Sequence, residues 1–134
     1  MKLTNRSEYA LLALVFLARH HRDGACISVE TVAMAQGIPP KFLEQILLAL
    51  KRAGYLRSTK GQRGGYALAK SASQISLAEI IRLFDGALAP TECVSKYYYE
   101  PTPIEKEMTL VKVFQEIREF VAEKLERTSL ADVL

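Results

Sequence analysis

Residues 42–68 read FLEQILLALKRAGYLRSTKGQRGGYAL, from Phe42 to Leu68. Phe42, Ile46, Leu47 and Leu50 recur at helical spacing and Gly54 follows as a stop, so the pattern predicts a helix over about 40–53. The runs Tyr55–Ser58 and Tyr66–Leu68 are β-prone and flank the glycine-rich segment Thr59–Gly65, which predicts a hairpin with Lys60 and Arg63 at its tip. Residues 41–70 hold seven Lys/Arg against one Glu, whereas the whole chain carries a net charge of only +3.

Upstream, Leu11, Leu14, Val15, Leu17 and Ala18 keep helical spacing and predict a first helix over about 5–21, ended by Asp23-Gly24. Ser28 is a good N-cap for a short second helix over 29–36, with Gly37 as its stop. Pro39-Pro40 suits the cap and first turn of the third. Two helices joined by a glycine-containing turn form a helix-turn-helix pattern, which on its own could equally be an ordinary helical hairpin. The cationic hairpin after it favours a winged helix-turn-helix on a phosphate backbone. The glycine-rich loop is not a nucleotide cradle, because it lacks a Gly-Lys-Ser/Thr ending and no helix follows it.

Downstream, Ser76 caps a helix over about 77–85, with Leu77, Ile80, Ile81 and Phe84 as its buried stripe. Residues 86–103 contain three prolines, Cys93 and the run Tyr97-Tyr98-Tyr99 and read as a loop. Thr102-Pro103 opens the longest predicted helix, over about 103–127 and about 36 Å long. Its apolar residues Leu110, Val113, Phe114, Ile117, Val121 and Leu125 recur at three and four residues. The expected organisation is a winged helix-turn-helix over 1–86, a sensor-type loop over 87–102, and a dimerisation helix with a C-terminal tail over 103–134. The fold class is mainly α with a small β-hairpin wing.

Composition narrows the function classes. The chain has 134 residues, about half of them hydrophobic, enough for one domain with a real core. No apolar run reaches the ~18 residues that span a bilayer. The N-terminal MKLTNRSEYALLALVFLARHH is interrupted by Glu8 and lacks a small-residue cleavage site, which argues against a signal peptide. Two cysteines make no disulfide framework, and a cytoplasmic protein with reduced thiols is expected. Charge is uneven: +6 over residues 41–70, −3 over 92–134. This suggests one face for an anionic polymer and another for a different partner. No nucleophile–His–acid set appears, so an enzyme is not expected.

Several blocks resemble the Rrf2 family of bacterial transcription regulators: MKLTNRSEYALLAL, IPPKFLEQILLALKRAGYLRSTKGQRGGYALAK, ISLAEIIRLFDG, TEC and SLADVL. The resemblance runs in register along the whole chain. It implies a homodimeric winged-helix repressor or activator, with the third helix in the major groove and the wing in the minor groove of double-stranded DNA. Pro39, Lys41, Glu44 and Gln45 stand where the family presents side chains from its recognition helix, and Phe42 belongs to the same set. Lys60 stands where many relatives have a wing arginine, and Gln62, Arg63 and Gly64 complete the tip. Pro39 departs from the usual serine there, which removes one hydroxyl contact.

By chemistry, Gln45 suits a bidentate pair with adenine, and Glu44 suits cytosine N4 or, alternatively, local pairs on its own helix. Lys41, Lys51, Arg52, Arg57 and Arg63 suit phosphates or are simply solvated. In the family's cluster-binding branch three cysteines occupy the loop before the long helix. Here only Cys93 matches, and Glu8 stands where some relatives supply a carboxylate from the partner subunit. An iron–sulfur centre takes about four ligands, so the expectation is no cofactor. The alternative is an atypical [2Fe–2S] cluster, or a redox-sensitive thiol, at Cys93. Cys26 reads as a buried filler. The tyrosine run either walls a small-ligand pocket or packs against a neighbouring subunit. A protein-interaction winged helix is a third reading, opposed by the lack of apolar companions beside Lys60 and Arg63.

Overall fold

Thr4 opens the first helix: its hydroxyl accepts a hydrogen bond from the Ser7 amide at 3.3 Å. The computed structural model describes residues 1–21 and 23–134. Helix α1 spans Asn5–Arg19, α2 spans Val29–Gln36 and α3 spans Pro40–Arg52. Strands β1, Leu56–Thr59, and β2, Gly65–Leu68, follow. Helix α4 spans Leu77–Asp85 and α5 spans Met108–Arg127, with short 3-10 turns at Ala72–Gln74, Glu92–Val94, Pro103–Lys106 and Leu130–Val133.

Each element ends for a local reason. The Ser28 hydroxyl caps α2, and Gly37 ends it in the left-handed region at φ 65°, where only glycine sits without a Cβ penalty. Ser76 and Glu79 form a reciprocal capping box at the start of α4. Helix α1 stops two residues short of expectation, because His20 closes it: its amide and its ring Nδ1 both engage the Phe16 carbonyl.

The core lies where α1, α2 and α3 meet the hairpin. Leu14, Leu17, Val32, Leu43, Ile46, Leu47 and Leu50 are all essentially removed from solvent, each worth about 1.5–3 kcal/mol of burial. Exposed ion pairs such as Arg127–Glu123, 2.9 Å, contribute at most about 1 kcal/mol each, so apolar packing holds the fold. The buried face of α3 is slightly rotated from the predicted one. Leu43 faces the core, while Phe42 is only half-buried and meets Tyr9 of α1 edge-on, centroids 5.6 Å apart.

The hairpin pairs antiparallel from Leu56↔Leu68 to Thr59↔Gly65. It has a third partner. Ile27, in the connection before α2, exchanges two backbone hydrogen bonds of 2.8 Å with Tyr66. Glycine is required beside this contact, since a Cβ on Gly65 would stand 2.0 Å from the Ile27 carbonyl oxygen.

The long C-terminal helix is shorter than predicted. Pro103–Lys106 forms a 3-10 turn with Glu105 and Glu107 amides bonded three residues back, and Glu107 is extended at φ −122°, ψ 93°. Proline and this extended residue delay the α-helix to Met108, so its 20 residues span about 30 Å rather than 36. Its apolar stripe also splits in two. Val111, Phe114, Ala122 and Leu125 turn toward the chain's own core, while Leu110, Val113, Ile117 and Phe120 face solvent. Beyond α5 the tail returns to the first helices. Ser129 pairs with Ser76, the Leu130 amide donates to the Ile75 carbonyl at 2.8 Å, and the Leu130 side chain is fully buried in the main core.

Candidate nucleic-acid interface

Lys41, Glu44, Gln45 and Leu48 lie on the solvent face of α3 at helical spacing, opposite the buried Leu43, Ile46, Leu47 and Leu50. Leu48 was not among the residues the sequence pointed to. Its signal was available, as a large apolar residue out of phase with the core stripe. Pro39 is the N-cap of α3 and offers no side-chain cap. The first N–H groups of a helix have no intrahelical partner, so this end carries open donors and the positive end of the helix dipole. Lys51 and Arg52 are exposed in the last turn.

The wing is carried straight off α3. The Tyr55 amide donates to the Leu50 carbonyl at 3.0 Å, and the Ala69 amide donates to the Tyr55 carbonyl at 2.9 Å, closing both ends of the hairpin on one residue. Tyr55 also donates its hydroxyl to Glu79 Oε1 at 3.3 Å, and Lys70 Nζ lies 4.9 Å from its ring centre. Burial, the Glu79 charge and the hydrogen bond to Glu79 together push the Tyr55 hydroxyl pKa up. Burial alone would raise the Glu79 carboxyl. The Ser76 amide and hydroxyl, the Tyr55 hydroxyl and the Lys70 charge outweigh it and hold the group below the usual carboxylate range. This Tyr55–Glu79 brace between wing and α4 was missed from the sequence, although Ser76 and Glu79 have capping-box spacing.

At the tip, Lys60, Gln62 and Arg63 are exposed, and the Gly64 amide closes the turn on the Gly61 carbonyl at 2.9 Å. A Cβ on Gly64 would lie 2.5 Å from the Thr59 oxygen, so the tip admits only glycine there. Among the described residues, no carboxylate pairs with Lys41, Lys51, Arg52, Lys60 or Arg63. Arg57 differs. Its guanidinium donates to the Gly24 carbonyl and lies 3.7 Å from the Cys26 sulfur, so it ties β1 to the connection after α1. Cys26 is half-buried against that guanidinium and is not the enclosed filler expected.

Cys93 sits in the 3-10 turn of the loop after α4, half-buried with Ala89, Val94, Ile104, Val111 and Phe114 around it. The Thr91 hydroxyl is 3.9 Å from its sulfur. Tyr97, Tyr98 and Tyr99 are all largely exposed, and the Tyr99 hydroxyl donates to Glu105 Oε1 at 2.7 Å. Glu8 is exposed in the first turn of α1. Among the described residues no group of three or more His, Cys, Asp or Glu is arranged to hold a metal ion. One thiolate and one carboxylate do not make the roughly four-ligand set of an iron–sulfur centre. The donors within one chain therefore do not fit that group. No helix among the described residues is long and apolar enough to cross a membrane.

Comparison with known proteins agrees with this architecture. Residues 3–134 match the family model Rrf2, described as an iron-dependent transcriptional regulator. A protein of Rhodobacter capsulatus described as rrf2-like is 38% identical over 120 residues, covering 86% of this chain and 80% of that one. The structure of CymR, the global cysteine regulator of B. subtilis, superposes with a TM-score of 0.77 at 26% identity, covering 99% of this chain and 95% of that one. That of T. potens IscR superposes with a TM-score of 0.75 at 26% identity, covering 99% and 85%. The hairpin wing, the helix-turn-helix ahead of it and the match along nearly the full length lead to one conclusion: the chain belongs to the Rrf2 family of helix-turn-helix transcriptional regulators, and not to a family of enzymes.

Proposed function

We propose that this regulator binds double-stranded DNA as a cytoplasmic homodimer, reading a two-fold-symmetric operator with α3 in the major groove and the wing in the minor groove. The observation that carries the reading is the set of exposed cations on α3 and the hairpin that pair with no carboxylate among the described residues: Lys41, Lys51, Arg52, Lys60 and Arg63. Lysines and arginines on such a surface release counterions from phosphates, which makes affinity steeply salt-dependent. Glu44 and Gln45 supply base readout, and Leu48 beside them offers an apolar contact for a thymine methyl group. Arg57 is assigned to holding the wing and not to phosphate.

The outward row Leu110, Val113, Ile117 and Phe120 supports pairing through α5, since a 3-4-3 spacing of exposed apolar residues is a helix–helix seam. Pairing places two recognition helices one DNA turn apart.

The test is a titration of binding to a random duplex across 50–300 mM salt. A steep, linear loss of log affinity with log salt is expected, and a flat response or no binding at low salt would remove the DNA reading.

The donor set supports regulation without the three-cysteine cluster. A visible absorbance band after anaerobic reconstitution with iron and sulfide would overturn that part alone. Cys93 also supports a thiol-sensing reading, because it packs against the cluster of Ala89, Val94 and Val111, the last at the start of α5. Oxidation of its sulfur would introduce polar oxygen into an apolar contact with the proposed dimer helix.

A further inference from the structure

Three cations from three separate segments converge beside the tyrosine loop: Arg82 on α4, Lys96 in the loop and Arg118 on α5. Together with Ser95, Tyr97 and Tyr98 they line a narrow opening. Arg82 and Arg118 are each only 18% exposed along their side chains. We propose that this opening is a binding site for a small oxyanion, the carboxylate or phosphate group of a small-molecule effector.

The charge balance supports this. Arg82 Nη2 holds Glu126 Oε1 at 2.7 Å. The Arg82 hydrogen bond, against the opposing effect of burial and with the charges of Arg82, Lys96 and Arg118 behind it, keeps the Glu126 carboxyl below the usual carboxylate range. Three cations thus attend one internal carboxylate. The other acid nearby, Glu119, reaches Arg118 Nη2 only at 3.7 Å. Arg118 Nε is buried and has no hydrogen-bond partner among the described residues, a donor whose desolvation is uncompensated. The Arg82 guanidinium and the Lys96 ammonium both lie over the Tyr97 ring, 4.8 and 5.1 Å from its centre, which holds these long side chains in place with cation–π attraction. Guanidinium forks match the two oxygens of a carboxylate or phosphate.

The opening is closed down in this structure, with no room for a water-sized sphere at its centre. Glu126 serves as the built-in anion. An entering oxyanion takes its place on Arg82, completes Arg118 Nε and shifts the Tyr97–Tyr98 segment. Because the opening joins α4, the loop and α5, occupancy changes how α5 sits on the DNA-reading half. That consequence rests on the regulator reading; the binding itself does not.

The test uses the full chain without DNA. Its arginine Nε–H resonances are followed by NMR while sodium phosphate, sodium acetate or sodium chloride is added at constant ionic strength. A saturable shift of Arg118 Nε–H with phosphate, with acetate or with both, and not with chloride, is expected, and the responding arm names the oxyanion. Glu126→Gln, which removes the internal competitor, tightens binding by roughly tenfold, and Arg118→Gln abolishes the response at the Arg82 Nε–H. No shift with either oxyanion, the same shift with chloride, or unchanged affinity in Glu126→Gln would overturn the site. Failure here leaves the salt-dependent DNA binding intact, so the two readings are separable.

Discussion

Ile27 and Tyr66 hold each other by a reciprocal pair of 2.8 Å backbone hydrogen bonds, an isolated bridge that anchors the two-stranded wing to the connection between α1 and α2. The contact is possible only because Gly65 has no side chain: a Cβ there would stand 2.0 Å from the Ile27 carbonyl oxygen. Gly65→Ala must push the strands apart and is expected to destabilise the chain by roughly 1–3 kcal/mol and to weaken DNA binding at every site. Urea denaturation and a duplex-binding assay check this. An Ala variant with wild-type midpoint and affinity would show that the wing stands without the Ile27 bridge.

Glu44 and Lys60 are both exposed and, among the described residues, form no ion pair, but they offer different chemistry. A glutamate accepts from one base edge, worth about 1–3 kcal/mol of discrimination, whereas a lysine on phosphate adds sequence-independent affinity. Glu44→Ala should relax sequence choice at one operator position in a selection experiment. Lys60→Ala should weaken all sequences alike and lower the salt slope by about 1. Identical profiles for the two variants would reject the division of roles.

The placement of these residues on a helix and a hairpin is legible because α3 and the hairpin are local structures. Their periodicity, stops and charge lie within thirty consecutive residues. What the sequence hid is long-range. The requirement for Gly65 reads locally as a turn signal, but its cause is Ile27, far up the chain. Arg57 reads as a phosphate or solvated cation, and its contacts with the Gly24 carbonyl and Cys26 come from residues more than thirty positions away. The α5 stripe reads as one apolar face because a three-and-four spacing does not reveal which half meets the core. Leu130 sits in a short tail with no periodicity, and only the fold places it.

Leu130 is therefore a sharp test of the tail. It is fully buried in the main core, and its amide is bonded to Ile75. Leu130→Ala is expected to destabilise by about 2–5 kcal/mol, the range for a buried leucine truncated in a packed core. Thermal or urea unfolding measures it. A loss below about 0.5 kcal/mol, typical of surface positions, would mean that the tail merely rests on the helices.

Glu79 gives the brace at the wing base a pH signature. Its folded pKa is depressed: burial opposes this, but the Ser76 and Tyr55 hydrogen bonds and the Lys70 charge prevail. A depressed carboxyl contributes stability that is present above its unfolded pKa and is lost as pH falls through the folded value. The window therefore opens just below the ordinary glutamate range of about 4.3 and extends to lower pH. Glu79→Gln should lower stability at pH 7 and reduce the further fall between pH 5 and pH 3, measured by urea midpoints. Tyr55→Phe, which leaves the capping box in place, should reproduce part of the effect. Parallel acid limbs in wild type and Glu79→Gln would remove Glu79 from the acid response.

Phe120 is 75% exposed in the single chain, so changing it leaves the chain's own core untouched, yet it extends the outward row begun by Leu110, Val113 and Ile117. A charge placed in a helix–helix seam must be desolvated without a partner, which association does not tolerate. Phe120→Glu is expected to leave the circular dichroism spectrum unchanged and to convert a dimer to a monomer in analytical ultracentrifugation, with steep loss of affinity for a two-half-site duplex. Met34, 87% exposed on α2, is the matched control: it is equally apolar and accessible but lies off the seam, so Met34→Glu should leave the sedimentation coefficient unaltered. If both variants sediment as wild type, the pairing surface lies elsewhere than the outer face of α5.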